Sequence, residues 1–252
     1  MFELSLDLVL FLIGAAFVAG FIDSIAGGGG LITLPALLLV GATPLQALST
    51  NKVQGVFGAA TAAVAYSRSG LVSLRGQWRA AGVALGAGAV GAGLVSQIPT
   101  ESLRLVLPFV LIGIAVFFAL KKGLDDTDRH QRIPPAVYMV TVVPLIGLYD
   151  GLIGPGTGAF FMIAFVTLAG YGVLKATAHT KLLNFASNLG GLLVFAVSGA
   201  PWWVTGLAMG VAQVAGARLG ARLAMRVGAR VIKPLLVVTS TALALRLLWQ
   251  ML

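Results

Sequence analysis

The chain has 252 residues, 58% of them hydrophobic and only 10% charged, with a formal charge of +9 and no cysteine. Soluble domains carry about 25% charged residues, so this composition describes an integral membrane protein with no room for a separate soluble domain. The absence of cysteine excludes disulfides, thiolate metal sites and thiol catalysis, and the basic residues cluster in short loops, which fits the positive-inside rule and argues against nucleic acid as a partner.

Residues 4–26 form the first expected membrane helix, because they lack the basic n-region of a signal peptide. The helix ends in F-I-D-S-I-A-G-G-G-G, which places Asp23 one turn before Gly27. A short apolar segment follows at 29–44. The next helix, 46–67, opens with L-S-T-N-K-V-Q-G and leads into a loop bearing Arg68, Arg75 and Arg79. Helices are expected at 78–97 and 103–120, joined by a loop with a single arginine, Arg104. Gly82 and Gly86 suit tight helix packing. The run Gly86–Gly91 matches G-x-G-x-x-G formally, but it lies in an apolar helix with no βαβ context and carries no nucleotide reading.

A polar loop with Lys121, Lys122, Arg129 and Arg132 separates this set from a second. Helix 135–152 ends in L-Y-D-G-L-I-G-P-G-T-G, again with an aspartate, Asp150, one turn before a glycine. A short segment at 157–171 and a helix at 176–198 containing H-T-K-L-L-N-F-A-S-N come next. Helices at 202–224 and 231–251 complete the chain. Arg218, Arg222, Arg226 and Arg230 recur every four residues, a stripe suited to anionic lipid headgroups.

The two sets align as an internal repeat. Asp23 matches Asp150, Lys52 matches Lys181, and Ser69-Gly70 matches Ser198-Gly199. Matched loops differ in charge: Arg68, Arg75 and Arg79 face the uncharged S-G-A-P-W-W, and the single Arg104 loop faces the arginine-rich region from Arg218 to Lys233. Five crossings per repeat would invert the second copy and put all basic loops on the cytoplasmic side. The expected fold is therefore an all-α membrane protein of about ten transmembrane segments (8–10). It comprises a first repeat at 1–120, a cytoplasmic linker at 121–134 and a second repeat at 135–252. The second and seventh helices are short or broken but are expected to cross. Inverted repeats with interrupted helices point to a transporter with its site near the midplane.

Ionisable groups inside apolar segments are costly and mark functional candidates. Asp23 and Asp150 suit proton coupling or gating, capping of the following half-helix, or pairing with a lysine. Lys52 and Lys181, flanked by Asn51, Gln54, Thr180 and Asn184, suit a polar cavity that holds an anion. Snorkelling is the competing explanation for each lysine. Thr180, Asn184 and Asn188 share one helical face. Gly29, Gly30, Gly156 and Thr157 stand where half-helices would aim free N–H groups at an anion. His179 is a further coupling candidate by its titration range, although a structural histidine is the commoner case. No metal cluster and no cofactor motif is present in the sequence.

The paired motifs G-F-I-D-S-I-A-G-G-G-G-L-I-T-L-P, S-T-N-K, D-G-L-I-G-P-G-T-G and H-T-K-x-x-N-x-x-S-N resemble the TauE/SafE sulfite exporter family, also called toluene sulfonate uptake permeases, over essentially the whole chain. The motif positions fall on Asp23, Gly28, Gly29, Gly30, Pro35, Thr50, Asn51 and Lys52, and on Asp150, Gly154, Pro155, Gly156, Gly158, Thr180, Lys181 and Asn184. The resemblance implies a multi-pass carrier of sulfite, sulfonates or related small organic anions in a prokaryotic inner membrane, not an enzyme. The expected partners are the anion and anionic headgroups of the bilayer; a homodimer is left open. Two alternatives stand beside it. Two membrane aspartates also suit an intramembrane aspartyl protease, and the same pore also suits an anion channel.

Overall fold

The computed structural model describes residues 4–95, 125–198 and 201–235, with isolated positions at 112, 116, 120, 237, 238 and 241. Every regular element among them is helical, and three helices (Leu6–Ala26, Pro135–Leu152 and Val173–Val197) are long and apolar enough to cross a membrane. Helix α1 spans Leu6–Ala26 and stops at Gly27, whose φ of 78° lets its N–H close on the Asp23 carbonyl. Helix α2 covers Gly30–Leu39, with Pro35 inside it. Helix α3, Pro44–Arg68, starts on a capping box in which Thr43 and Gln46 satisfy each other's backbone N–H groups. Helix α4 covers Trp78–Leu94.

Helix α5 runs from Pro135 to Leu152 and is wound as a π-helix over Tyr138–Val142. Helix α6 covers Thr157–Thr167, α7 Val173–Ser198 and α8 Trp203–Val227, and residues 229–235 are again helical. The expected helix at 103–120, Lys121, Lys122 and most of 231–251 lie outside the described residues.

Most expected boundaries hold to within a few residues, and the exceptions have physical causes. Helix α2 ends at Leu39 rather than 44 because the chain turns at Gly41 (φ 94°). Helix α6 ends at Thr167 rather than 171, before Gly170 (φ 74°). Helix α7 begins at Val173 rather than 176 because a distant segment caps it. The Gly172 N–H donates to Asp128 Oδ1, Val173 N–H to the Asp125 carbonyl and Leu174 N–H to Asp126 Oδ1, each at 2.9 Å. The other Asp126 oxygen accepts from Ala229 N–H, which opens the helix at 229.

Two of the buried clusters lie toward opposite ends of α3. One holds Ile25, Tyr66, Val72, Tyr138, Phe165, Val173, Ala224 and Ala229; the other holds Leu12, Leu37, Ala42, Ala47 and Met209. Helix α3 therefore runs from the second cluster to the first. Helix α7 runs the opposite way, since Phe195 near its C-terminus packs on Leu48 near the start of α3. The exposed arginines Arg68, Arg75, Arg79, Arg129, Arg132, Arg226 and Arg230 gather around the first cluster.

The pairs α1–α2 and α5–α6 form hairpins that enter from opposite ends. With ten and eleven residues, α2 and α6 reach only about 15–17 Å at 1.5 Å per residue, against a hydrocarbon core of about 30 Å. Each short segment follows a glycine turn and by itself falls short of that thickness. Close packing of small residues joins the pieces. Helix α8 lies on α1 through Gly216 and Gly220, and α4 lies on α5 and α7 through Gly91 and Gly88.

Candidate functional site

The turns of the two hairpins lie directly against each other. A Cβ on Gly27 would stand 2.6 Å from Gly158 Cα, and one on Gly158 would stand 2.9 Å from the Gly27 carbonyl oxygen. Glycine at both positions is what allows the backbones to touch, and at Gly27 it also permits the left-handed turn. Beside this contact is a small cavity. It is lined from the first turn by Asp23, Gly27, Gly29 and Gly30, from the second by Asp150, Gly154, Gly156, Thr157 and Gly158, and from the long helices by Asn51, Gly55, Asn184, Asn188 and Gln213. The N-terminal ends of α2 and α6 thus both open on it, although the Leu31, Ile32 and Thr157 N–H groups already donate to the Gly28, Gly29 and Gly154 carbonyls.

Each aspartate is paired with the lysine of the other half of the chain. Lys52, on α3, donates to Asp150 Oδ1 at 2.8 Å and to the Asp150 carbonyl at 2.5 Å. Lys181, on α7, donates to the Asp23 carbonyl and stands 3.5 Å from Asp23 Oδ2. Both lysines are buried, and neither lines the cavity; each sits behind the aspartate it pairs with. Gly154 makes this possible for Lys52, since a Cβ there would approach its Nζ to 3.0 Å.

The two pairs differ in how fully the carboxylate is satisfied. Asp150 is buried and also accepts from Thr157 Oγ1 at 3.0 Å and Ser187 Oγ at 2.5 Å. Asp23 is half-buried; besides the Lys181 contact, its side chain accepts the Gly29 N–H at 3.1 Å, which caps α2. In the registers that align the aspartates and the lysines, Thr157 corresponds to Gly30 and Ser187 to Gly58. Both hydroxyl donors are therefore missing from the first pair.

Carboxamides complete the wall. Gln213 Nε2 donates to Gln54 Oε1 at 2.8 Å, and Gln54 Nε2 donates to Asn51 Oδ1 at 2.9 Å. Thr33 Oγ1 also donates to Asn51 Oδ1, at 2.6 Å. This chain occupies the Asn51 oxygen and leaves its Nδ2 by Gly30, at the cavity. Asn188 Nδ2 similarly donates to Asn184 Oδ1, which leaves the Asn184 amide nitrogen for the cavity, while Asn188 Oδ1 faces Gly55. The network occupies the Asn51 and Asn184 side-chain oxygens, while the Asp23 and Asp150 carboxylates and Asn188 line the same cavity as acceptors.

The structure thus brings together nine of the expected residues: Gly29, Gly30, Asn51, Gly156, Thr157, Asn184, Asn188, Asp23 and Asp150. Lys52, Lys181 and Gln54 stand immediately behind them. Thr180 is buried and donates to the Ala176 carbonyl within its own helix. His179 lies elsewhere, against Tyr171 and Phe165 at ring separations of 4.8 and 5.6 Å, with a buried Nδ1 that has no partner among the described residues. Thr33, Ser187 and Gln213 were not singled out by the sequence. Gln213 had a usable signal, being an amide within the apolar run of α8. No group of three or more potential metal ligands occurs among the described residues.

The sequence profile of the sulfite exporter TauE/SafE family matches residues 12–247. The chain belongs to the TauE/SafE family. A Sinorhizobium relative named "Probable membrane transporter protein ORF9" is 55% identical over 98% of this chain and 94% of its own length. The Escherichia coli K12 "Probable membrane transporter protein YfcA" is 42% identical over 96% of this chain and 89% of its own. A Haemophilus influenzae "Probable membrane transporter protein" is 38% identical over 98% and 97%. No solved structure matches the chain. It is a membrane transporter of the TauE/SafE family.

Proposed function

We propose that this transporter is a secondary carrier of small sulfur-containing or organic anions, sulfite and sulfonates among them, across a prokaryotic inner membrane by alternating access. The observation that carries the reading is the cavity at the meeting of the two hairpins, with two helix N-termini and the Asn51 and Asn184 amide nitrogens directed to it. Such a donor set recognises an anion without requiring a bare cation in the wall. Lys52 and Lys181 contribute their charge from behind the aspartates rather than as first contacts.

The antiparallel course of α3 and α7, and the entry of the hairpins from opposite ends, support two inverted repeats. Their interface is then the place for the site, and rocking of one repeat on the other exposes it to each side in turn. The basic residues around one end support a cytoplasmic assignment for that end, and the exposed arginine stripe of α8 suits anionic headgroups there. The proteolytic alternative requires two carboxylates that share a proton. Here each carboxylate is instead held by its own lysine, and no hydrogen bond joins the two among the described residues.

Counterflow of labelled sulfite into proteoliposomes, with methanesulfonate as competitor, tests the reading. Saturable uptake accelerated by unlabelled sulfite inside is the expected result. Flux that neither saturates nor shows counterflow would replace the carrier with a channel.

A further inference from the structure

The charges of the site sum to zero as the structure stands: Lys52 and Lys181 are matched by Asp150 and Asp23. A monovalent anion entering the cavity adds one negative charge that the helix ends and amides stabilise but do not neutralise. Uptake of one proton restores the balance. The question is which group receives it, and the unequal hydrogen bonding of the two carboxylates answers it.

Asp150 is the better satisfied of the two. It is buried, one oxygen accepts from Lys52 at 2.8 Å and from the Thr157 hydroxyl, which is shared with the Gly154 carbonyl, and the other oxygen accepts from Ser187. Asp23 borders the same cavity, is partly exposed to it, and accepts one backbone N–H besides its contact with Lys181 at 3.5 Å. We infer that Asp23, and not Asp150, binds one proton with each monovalent anion, so that transport is electroneutral proton–anion symport. The inference rests on the carrier reading above and deepens it.

The groups around Asp23 fit this role. Lys181 faces it from α7, and Tyr66, on α3, donates to the neighbouring Ser24 carbonyl. Asp150 and its lysine lie across the cavity on α5 and α3. Helix α2 contributes only the Gly29 N–H, α6 packs Gly158 against Gly27, and α8 offers Gln213 while its arginines are exposed. Protonation turns a carboxylate that repels the anion into a hydroxyl that can donate to it, and frees the Lys181 charge to balance the anion. No bond other than O–H is made or broken, and the proton comes from the water of the side to which the cavity opens.

The test uses full-length protein in proteoliposomes with two probes, labelled sulfite and labelled methanesulfonate; the latter keeps a single negative charge across the pH range used. In wild type, exchange should accelerate as pH falls from about 8 to about 6, with apparent affinity rising by up to about tenfold per unit. An inward proton gradient should drive accumulation, and an imposed potassium diffusion potential should not alter it. Asp23→Asn should lose gradient-driven accumulation while any remaining exchange becomes independent of pH, and Asp23→Glu should retain the coupling. Unfolding curves of each variant establish that it is folded. If Asp23→Asn slows exchange but keeps the wild-type pH profile, Asp23 is a structural cap and the inference fails. A potential-sensitive flux would overturn the stoichiometry. Absence of exchange in wild type with either probe would remove the carrier reading, and this inference with it.

Discussion

Helices α3 and α7 are counterparts, each with a lysine that reaches an aspartate of the other half, yet their surroundings have diverged. Lys52 meets an aspartate already held by two hydroxyls, whereas Lys181 meets one whose equivalent positions are Gly30 and Gly58. The amides are also unevenly shared. Asn184 and Asn188 on α7 correspond to Gly55 and Ala59 on α3, while Asn51 and Gln54 correspond to Thr180 and Leu183. A duplicated frame thus keeps its charge pairs while its hydrogen-bond donors specialise. One pair is built to be static; the other is left with room to change state.

The largest expected effect follows from breaking the static pair. Lys52→Ala or Asp150→Asn leaves an uncompensated buried group, which costs about 3–5 kcal/mol, and should sharply lower both folded yield and unfolding temperature in detergent. Replacing both, as Lys52→Met with Asp150→Leu, should recover much of the stability, because no charge then remains unpaired. Equal damage from the double variant and from either single would show that the pair is not the source of the loss.

A smaller change makes the two pairs more alike. Ser187→Ala removes one hydroxyl from Asp150, at a cost of about 1.5–3 kcal/mol for a hydrogen bond to a charged group. It should also open Asp150 to protonation, so that transport acquires a second acid-dependent phase. A stability loss with an unaltered pH profile would confine Ser187 to a structural part. Next in size is Gln213→Leu, which removes the first donor of the relay and frees Gln54 to turn away from Asn51. Anion affinity should fall roughly tenfold, equivalent to about 1.4 kcal/mol, measured as the half-saturating concentration in counterflow. Unchanged affinity would mean that Asn51 is held by Thr33 alone.

The same contrast marks what could be read from sequence. The start of α3 is local: Thr43, Pro44 and Gln46 are a cap that any strand of sequence would display, although the expected boundary fell two residues inside it. The start of α7 is set by Asp125, Asp126 and Asp128, 44 to 48 residues upstream of the groups they cap, and nothing near Val173 announces them. Asp23, Asp150, Lys52 and Lys181 were conspicuous because charge in an apolar segment is rare. Pairing with a lysine was among the readings, but which lysine met which aspartate was not legible, since the partners are 98 and 158 positions apart. The lysines consequently looked like cavity-facing anion ligands, whereas the fold puts them behind the carboxylates. Thr33 and Ser187 could not be distinguished from ordinary helix residues, because their importance depends on which helix packs opposite. Gln213 could have been found by the reasoning that found Asp23, applied to amides as well as charges.

The smallest effect concerns the remote cap itself. Asp128 accepts from Gly172 N–H and pairs with Lys175 at the N-terminal end of α7, where both side chains are partly exposed. Burial pushes the Asp128 carboxyl up, but the Gly172 N–H, Lys175 and His179 together outweigh it and hold it below its ordinary value. A carboxylate whose folded value is depressed adds stability above the ordinary value, near 3.9, and loses that contribution as pH falls through the lowered one. Asp128→Asn should therefore destabilise the protein slightly near neutrality, by no more than about 1 kcal/mol for so exposed a pair, and the gap to wild type should close as pH falls below the ordinary carboxylate range. The counterpart change, Thr43→Ala, removes a neutral cap worth about 1 kcal/mol and should show the same deficit at every pH. Two helices that occupy equivalent places would then be told apart by acid alone, because one start is held by a hydroxyl and the other by charge.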